Sequence, residues 1–381
     1  MEALGQIGHF GTGTLGYLIP FLFVLTTVVF FHELGHFLVA RWCGVKVKAF
    51  SIGFGPEIVG FNDRRGTRWK ISAIPLGGYV KFFGDEDVAS TPDHAALDSL
   101  SEDERRDTFF GKTVWQRAAI VAAGPFANFL LSIVIFAAIF TLYGREVTTA
   151  RVDQVVPGSV AEQAGFKPGD LILSIDGSRI DTFNDLQRIV STSADLPLAV
   201  VIERGGQQLT LSATPQRREV TDRFGNVHRI GQLGLSRDAS GNNVKVERFS
   251  FPQALVMGAQ ETWFVVDRTF AYIGGLFAGR ESTDELGGPI RVAQVSGQVA
   301  TLGFAALVNL AAVLSVSIGL LNLFPVPMLD GGHLLFYAIE AIRGRPLSAR
   351  AQDIGFRIGL AAVVMLMLFT TWNDIVHLTS L

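Results

Sequence analysis

Four long apolar segments dominate the hydrophobic pattern of this chain. They cover residues 15–40, 114–143, 303–324 and 354–372, and polar or charged stretches separate them. An α-helix needs about 20 apolar residues to cross the hydrocarbon core of a bilayer, and each segment is close to that length or longer. The pattern therefore predicts an α-helical polytopic membrane protein with four transmembrane helices.

Two stretches after the first apolar segment have the pattern of β-strands. Residues 45–61 and 68–83 carry β-branched and aromatic residues interrupted by glycines, and residues 63–66 have the composition of a hairpin turn. Apolar residues directly after a span favour a membrane-associated β-hairpin, but a small cytoplasmic sheet explains the pattern equally well. Residues 85–107 are charged with mixed sign, which predicts a solvated loop.

The region after the second apolar segment has a different character. Residues 147–240 are polar, charged and rich in short strand patterns with glycine and proline turns, which predicts an inserted mixed α+β module. Residues 251–277 are apolar but contain Glu261, Asp267 and Arg268. They therefore predict an amphipathic helix at the membrane interface and not a fifth span.

The predicted organisation of the chain has seven parts. In order, they are a first transmembrane helix (1–44), a β-hairpin with a loop (45–112), a second transmembrane helix (113–146), the inserted module (147–240), an amphipathic juxtamembrane segment (241–300), a third transmembrane helix with a turn (301–342) and a fourth transmembrane helix with a tail (343–381).

Basic residues predict the orientation of these spans. No Lys or Arg precedes Arg41, whereas Arg41, Lys46 and Lys48 follow the first span at once. Cytoplasmic loops carry the excess of Lys and Arg, so the loop after the first span is expected in the cytoplasm. With four spans, both termini and the module at residues 147–240 are then expected on the outer, periplasmic side.

Composition narrows the class of protein. The chain has 381 residues, of which 49% are hydrophobic and 18% charged, and its mean hydropathy is +0.35. This apolar excess is typical of a membrane protein with a moderate soluble part. A net charge of −3 gives no indication of a nucleic-acid partner. The single cysteine, Cys43, excludes an intrachain disulfide and a cysteine-rich zinc site.

Three polar residues interrupt the first apolar segment near its end. His32 and His36 are four residues apart, so on a helix they share one face about one turn apart, and Glu33 stands beside them. Two imidazoles at this spacing can bind one Zn²⁺, with the glutamate as the general base that activates water. A bound metal would compensate the cost of a buried acid, which is roughly 2.5–3.5 kcal/mol at a helix centre. The alternative is a pair of hydrogen-bonded core histidines and an acid that faces a neighbouring helix.

The end of the third apolar segment supplies a candidate third ligand. Pro325 and Pro327 cannot continue a regular helix, and irregular backbone at membrane depth is tolerated only inside protein or along a cavity. Asp330 is therefore expected on an irregular turn, at a depth similar to that of the histidines. His333 is either an outer partner of this site or, more simply, a loop histidine. Asn128, in the second span, needs a polar partner and is expected to hold helices together.

Two histidines and one carboxylate leave a fourth zinc position open, as in catalytic sites. Glu33 would take a proton from water, and zinc would polarise the scissile carbonyl. A non-enzymatic scaffold with structural zinc is a rival class, but a costly acid that is not a ligand argues against it. A small transporter with a proton relay is a second rival, and it predicts neither the inserted module nor the Pro-x-Pro turn.

The inserted module resembles a bacterial PDZ domain. The similarity is carried by residues 155–161 (VVPGSVA) and 164–177 (AGFKPGDLILSIDG). PDZ domains bind extended peptide ends by strand addition, so the resemblance implies that peptide or protein tails are partners of this module.

The motifs of the membrane segments resemble those of the site-two protease family of intramembrane zinc metalloproteases. The similarity is carried by HELGH at residues 32–36 and NLFPVPMLDG at residues 322–331. A PDZ-like module between the second and third spans resembles the bacterial regulator-of-sigma-E protease (RseP) branch of that family. Many members of this branch carry two PDZ domains, whereas only one is evident here.

This resemblance implies a role for five residues. His32, His36 and Asp330 would be the zinc ligands. Glu33 would be the catalytic base, and Asn322 would steady the substrate or the oxyanion. The implied substrate is a single-span membrane protein such as an anti-sigma factor, with remnant signal peptides as a further class. The implied location is the bacterial inner membrane, with the active site inside the bilayer near its cytoplasmic face.

Overall fold

The computed structural model describes residues 14–84, 100–147, 149–221, 227–236, 245–279, 283 and 286–380. Its helices are α1 (Thr14–Trp42), α2 (Glu102–Arg106), α3 (Val114–Leu142), α4 (Val160–Gln163), α5 (Phe183–Ser191), α6 (Phe251–Phe277), α7 (Pro289–Ala300), α8 (Phe304–Asn322), α9 (Asp330–Arg343) and α10 (Ala349–Ser380). Its strands are β1 (Val47–Asn62), β2 (Arg68–Phe82), β3 (Arg145–Val147), β4 (Gln154–Val155), β5 (Leu171–Ile175), β6 (Ser178–Arg179), β7 (Leu198–Arg204), β8 (Gln207–Ala213), β9 (Gln216–Thr221), β10 (Val227–Gln232), β11 (Leu235–Ser236) and β12 (Lys245–Glu247). The chain divides into two units, one made of Met1–Ile139 with Phe251–Leu381 and the other of Phe140–Ser250.

Within the described residues, four helices are long and apolar enough to cross a membrane. The candidate spans are Leu15–Trp42, Val114–Leu142, Phe304–Asn322 and Arg350–Val376. The predicted architecture, four membrane helices with additional β-structure, is therefore confirmed. The end of the chain differs in one respect, because α10 continues to Ser380 and the residues expected as a tail after position 372 are helical.

Small residues allow α1 and α3 to approach each other closely. A Cβ atom added to Gly35 would lie only 2.2 Å from the carbonyl oxygen of Ala123, so a larger residue does not fit there. Packing of small residues is a main source of helix association in membranes, where burial of apolar surface contributes little. Because Gly35 precedes His36 directly, this contact sets α3 against the histidine-bearing turn of α1.

Helix α6 is not among the candidate spans, and small or hydroxyl side chains form its packed face. A Cβ atom added to Gly258 would lie 2.5 Å from the carbonyl oxygen of Ile133 in α3. The hydroxyl groups of Ser132 and Thr262 are 3.2 Å apart. The segment that was expected as one amphipathic stretch thus contains a long helix packed on α3, followed by the separate helix α7.

A carboxylate from α10 caps the N-terminus of α7. Asp374 is only 3% exposed. It accepts hydrogen bonds at 2.8–3.0 Å from three backbone N–H groups, those of Gly288, Ile290 and Arg291. The first N–H groups of a helix have no partner within the helix, so this contact satisfies them and joins the last span to α7.

Strands β1 and β2 form an antiparallel hairpin that folds back on itself. Residues 68–71 pair with residues 59–62 on one side and with residues 49–52 on the other. Residues 47–52 pair in turn with residues 78–82. Among the described residues, the segments therefore lie in the order 59–62, 68–71, 47–52 and 78–82, and residues 78–82 form one edge of this sheet.

An ion pair ties the turn of the hairpin to the end of α1. Arg41 contacts the carboxylate of Asp63. Burial alone would raise the pKa of Asp63, but hydrogen bonds from Thr67, Trp69 and Arg41 lower it to about 2. The carboxylate is therefore ionised at neutral pH, and it keeps the hairpin turn fixed to α1.

Part of the segment that was predicted as a solvated loop is helical. Ser101 caps α2 and forms a capping box with Glu104, a local pattern that stabilises a helix start, so the loop prediction is wrong for residues 102–106. Residues 85–99 of that loop, and residues 1–13 of the predicted first part, lie outside the described residues.

The second unit is a small mixed α+β fold. Its four-stranded sheet has the order β6-β5-β7-β8, and β11 pairs with β4. Ile172, Val200 and Ile202 lie in its core with at most 1% exposure. The buried Asp170 pairs with Arg204 at 2.7 Å, and this contact joins the start of β5 to the end of β7. Strands β3 and β12 pair near the two ends of the unit.

Candidate metal centre

The two histidines of the first apolar segment lie on one face of α1. This helix is uninterrupted from Thr14 to Trp42, so residues four apart stack one turn from each other. The Nε2 atoms of His32 and His36 are 3.2 Å apart. His32 is buried, with 9% exposure. Both rings therefore present one nitrogen to the same point.

Asp330 is the first residue of α9 and follows an irregular segment directly. That segment contains Pro325 and Pro327, which end the preceding helix. The turn is tight, because a Cβ atom added to Gly331 would lie 2.3 Å from the carbonyl oxygen of Leu323. The expected break in the helix is present, although Asp330 belongs to the first turn of a new helix and not to the loop itself.

The turn brings the carboxylate to the histidines. Asp330 Oδ2 is 3.2 Å from His32 Nε2 and 3.6 Å from His36 Nε2. Among the residues that the structure describes, this is the one group of three or more His, Cys, Asp or Glu side chains placed to hold a metal ion.

The donor set fits zinc. In a tetrahedral site with bonds of about 2.0–2.1 Å, neighbouring ligand atoms are about 3.3–3.4 Å apart, and the observed separations are 3.2, 3.2 and 3.6 Å. Asp330 Oδ2 is buried and has no hydrogen-bond partner within the described chain. A buried carboxylate oxygen needs such a partner or a cation, and a metal ion between the three side chains would supply it.

Helix α3 contacts the outer nitrogen of each histidine. His36 Nδ1 is 2.8 Å from the carbonyl oxygen of Ile120, so it donates a proton there and leaves Nε2 for a metal. His32 Nδ1 is 3.2 Å from the side-chain amide of Asn128, which is fully buried. The nearest atom of this amide is its nitrogen, Nδ2, and its oxygen has no partner in the described part of the chain. With the amide rotated by 180°, the oxygen would accept from Nδ1–H and leave Nε2 of His32 free for a metal.

Gly124 provides the space for the imidazole rings. A Cβ atom at this position would lie 2.3 Å from His36 Nε2 and 2.9 Å from His32 Cε1. Even alanine would displace at least one ring. Gly124 and Asn128 are one helical turn apart, so the same face of α3 makes room for the ligands and orients one of them.

Glu33 faces the cavity beside the cluster without belonging to it. Val80 of the hairpin lines the same cavity. A Cβ atom added to Gly78 would lie 3.1 Å from Glu33 Cγ, so the edge segment 78–82 packs directly on this side chain. Glu33 is thus held between α1 and the sheet edge.

One cavity of about 700 Å³ contains all of these side chains. Asn322, the last residue of α8, lines it, and the structure thus brings all five predicted site residues to one cavity. His333 also lines it and lies on α9, so the interpretation of His333 as a loop histidine is wrong. Its ring lies 5.3 Å from that of Phe356.

Comparison with known proteins agrees with this geometry. The family model described as peptidase family M50 matches residues 20–366. The chain belongs to this family, that of the site-two proteases. Members of family M50 depend on zinc, and the chain is a zinc metalloprotease.

Named relatives cover almost the whole M50 chain. A protein of Agrobacterium fabrum named "Putative zinc metalloprotease Atu1380" is 56% identical over 365 residues, which is 96% of this chain and 97% of the relative. "Metalloprotease MmpA" of Caulobacter vibrioides is 42% identical over 385 residues, with 95% and 96% covered. A Rickettsia conorii protein named "Putative zinc metalloprotease RC0203" is 34% identical over 381 residues, with 95% and 99% covered.

Sequence reasoning missed most of what surrounds the ligands. Asn128 was predicted to hold helices together, and it does join α3 to α1, but the prediction did not name His32 as its partner. Gly124, in the second apolar segment, was given no role at the metal site. Gly124 and Asn128 are four residues apart, as are His32 and His36. This equal spacing was a signal that one face of α3 could lie against the histidine-bearing face of α1. No sequence signal pointed to the packing of Gly78 on Glu33, because this contact depends on which edge of the sheet meets α1.

We predict that Gly124→Ala lowers the affinity for zinc at least tenfold, because the added methyl group would displace the ligand rings. Gly274→Ala is the matched control, since nothing lies within 4 Å of a Cβ atom there and the residue is also helical. Zinc affinity can be measured by competition with a chelator in detergent solution. Equal affinity in Gly124→Ala and wild type would contradict the described packing of α1 and α3.

Proposed function

We propose that this zinc metalloprotease hydrolyses peptide bonds within or next to the transmembrane segment of single-span membrane proteins. The observation that carries the proposal is the position of the ligand cluster on a candidate span. His36 is six residues before the end of α1, which corresponds to about 9 Å along the helix axis. A substrate bond must therefore reach membrane depth to meet the cluster.

The chain's own residues account for the proton transfers of hydrolysis. Glu33, packed against the edge segment 78–82 at the cavity wall, is placed to take a proton from water and to return it to the leaving amine. Zinc, bound by His32, His36 and Asp330, would supply a Lewis acid that polarises the scissile carbonyl.

Asn322 is the candidate for stabilising the oxyanion or holding the substrate. Its amide lines the same cavity from the end of α8, and an amide N–H is a suitable donor for the negative charge that develops on the carbonyl oxygen. The cavity also contains Met328 and Val29, so the substrate would meet a mixture of apolar walls and a few polar groups.

A transmembrane helix has its amide groups already hydrogen-bonded, so it must unwind before cleavage. Residues 78–82 form an edge of the sheet next to Glu33, and an edge strand is a template for an extended peptide. We infer that the unwound substrate adds to this edge. Ile58, Val59 and Phe61 are 58–70% exposed on the same hairpin, which supports a membrane-associated hairpin over a free cytoplasmic sheet.

The second unit is proposed to be a PDZ domain that binds peptide or protein tails. A groove of about 380 Å³ lies between α5 and residues 230–236. Leu186, Val190 and Leu233 contribute to its apolar lining. A groove between a helix and a strand is suited to an extended peptide with apolar side chains.

The proposal also covers the location, the orientation and the substrates of the protein in the cell. We propose a bacterial inner-membrane location, with both termini and the inserted module in the periplasm and the active site near the cytoplasmic face. The proposed substrates are an anti-sigma factor in an envelope stress response and, as a further class, remnant signal peptides. The basic residues after the first span and the zinc cluster on that span support this arrangement.

We predict that Glu33→Gln lowers cleavage of a model single-span substrate at least about 100-fold, the lower end of the usual contribution of a general base, while the zinc content stays equal. Glu102→Gln on α2 is the matched control, because Glu102 is exposed. Purified proteins in liposomes and gel analysis of the products measure both rates. Undiminished cleavage by Glu33→Gln would rule out Glu33 as the base.

Strand addition can be tested by disulfide crosslinking in the inactive Glu33→Gln background with Cys43→Ser. We predict that Tyr79→Cys, in the edge segment, crosslinks to a cysteine placed beside the cleavage site of the substrate. Phe61→Cys, in the opposite edge segment 59–62, is the matched control and should stay uncrosslinked. Equal crosslinking at the two positions would contradict docking on residues 78–82.

A further inference from the structure

One face of α3 contacts both histidines of the metal centre and the helix that carries Asp330. Arg117, Ile120, Gly124 and Asn128 are three or four residues apart, so their side chains lie along one stripe of the helix. The last three contact or make room for the histidines of α1. Arg117 continues the stripe but contacts a different element, the helix α9 that carries Asp330.

The contact between Arg117 and α9 is a partly buried ion pair. Arg117 Nη2 is 2.5 Å from Glu340 Oε1, and the two side chains are only 14% and 16% exposed. The guanidinium carbon is also 4.9 Å from the ring centroid of Tyr337, which lines the cavity. Arg117 therefore meets α9 at positions seven and ten residues after Asp330, two and three turns along the same helix.

Stability alone is a poor explanation for this pair. Removing two charges from water is costly, and a well-packed apolar pair often holds two helices equally well. A planar guanidinium that meets both a carboxylate and a ring does fix the rotation and the register of a helix. Rotation matters for α9, because Asp330 follows an irregular segment, and one residue of helical rotation would turn its carboxylate by about 100°.

We propose that the Arg117–Glu340 pair is a positioning device for the metal centre. The pair fixes the rotation of α9 about its axis relative to α3, whose same face orients His32 and His36. In this rotation the carboxylate of Asp330 lies next to the two imidazoles. Helix α3 then acts as the common reference for all three ligands. The proposal concerns zinc binding only and does not depend on the substrate proposed above.

The test measures zinc affinity by chelator competition, together with the melting temperature of the metal-free protein. Arg117→Met and Glu340→Gln should each lower zinc affinity at least tenfold, a loss typical of groups that orient ligands. Arg117→Lys, which keeps the charge but not the planar fork, should fall between wild type and Arg117→Met. Arg343→Met is the matched control, because Arg343 is exposed on the same helix.

The double variant Arg117→Met/Glu340→Met separates positioning from stability. An apolar pair should restore the melting temperature of the metal-free protein to the wild-type value, whereas zinc affinity should stay at least tenfold lower. The absorption spectrum of the cobalt-substituted double variant should also differ from that of wild type. Zinc affinity within twofold of wild type in the double variant would overturn the proposal, even if the single variants fail to fold.

Discussion

The close contact between α1 and α3 is the constraint on which the metal centre depends. Glycines at positions 35 and 124 let the helix backbones approach until the imidazole rings fill the space that a Cβ atom would take. At this distance the carbonyl oxygen of Ile120 and the amide of Asn128 reach the outer nitrogens of the rings. Polar groups at membrane depth are costly unless each has a partner, and this contact supplies the partners.

The remaining elements complete the site from two other sides. The Pro-x-Pro segment ends α8 and starts α9 with Asp330, and irregular backbone of this kind is tolerated where protein surrounds it. The sheet closes the other side, where Gly78 packs on Glu33. The base therefore shares α1 with two of the ligands, while the third ligand and the neighbouring sheet edge come from other elements.

The sequence was most informative where chemistry and periodicity coincide. The spacing of His32 and His36 is a property of one helix, and Asp330 stands out because an acid follows two prolines next to a span. The orienting contacts depend on which face of α3 meets α1, and the pairing of Arg117 with Glu340 joins residues 223 positions apart. Such contacts depend on the tertiary arrangement and produce no periodic pattern in the sequence. The sheet illustrates the same point, because residues 68–71 pair on both sides and only one of these pairings is local.

The central claim is that His32, His36 and Asp330 hold zinc on a membrane-spanning helix. X-ray absorption at the zinc edge of the purified protein tests it most directly. The account predicts two imidazole ligands and oxygen ligands at about 2.0–2.2 Å, with no sulfur at about 2.3 Å. A sulfur ligand, which only Cys43 or a methionine could supply, or a spectrum without imidazole would contradict the account.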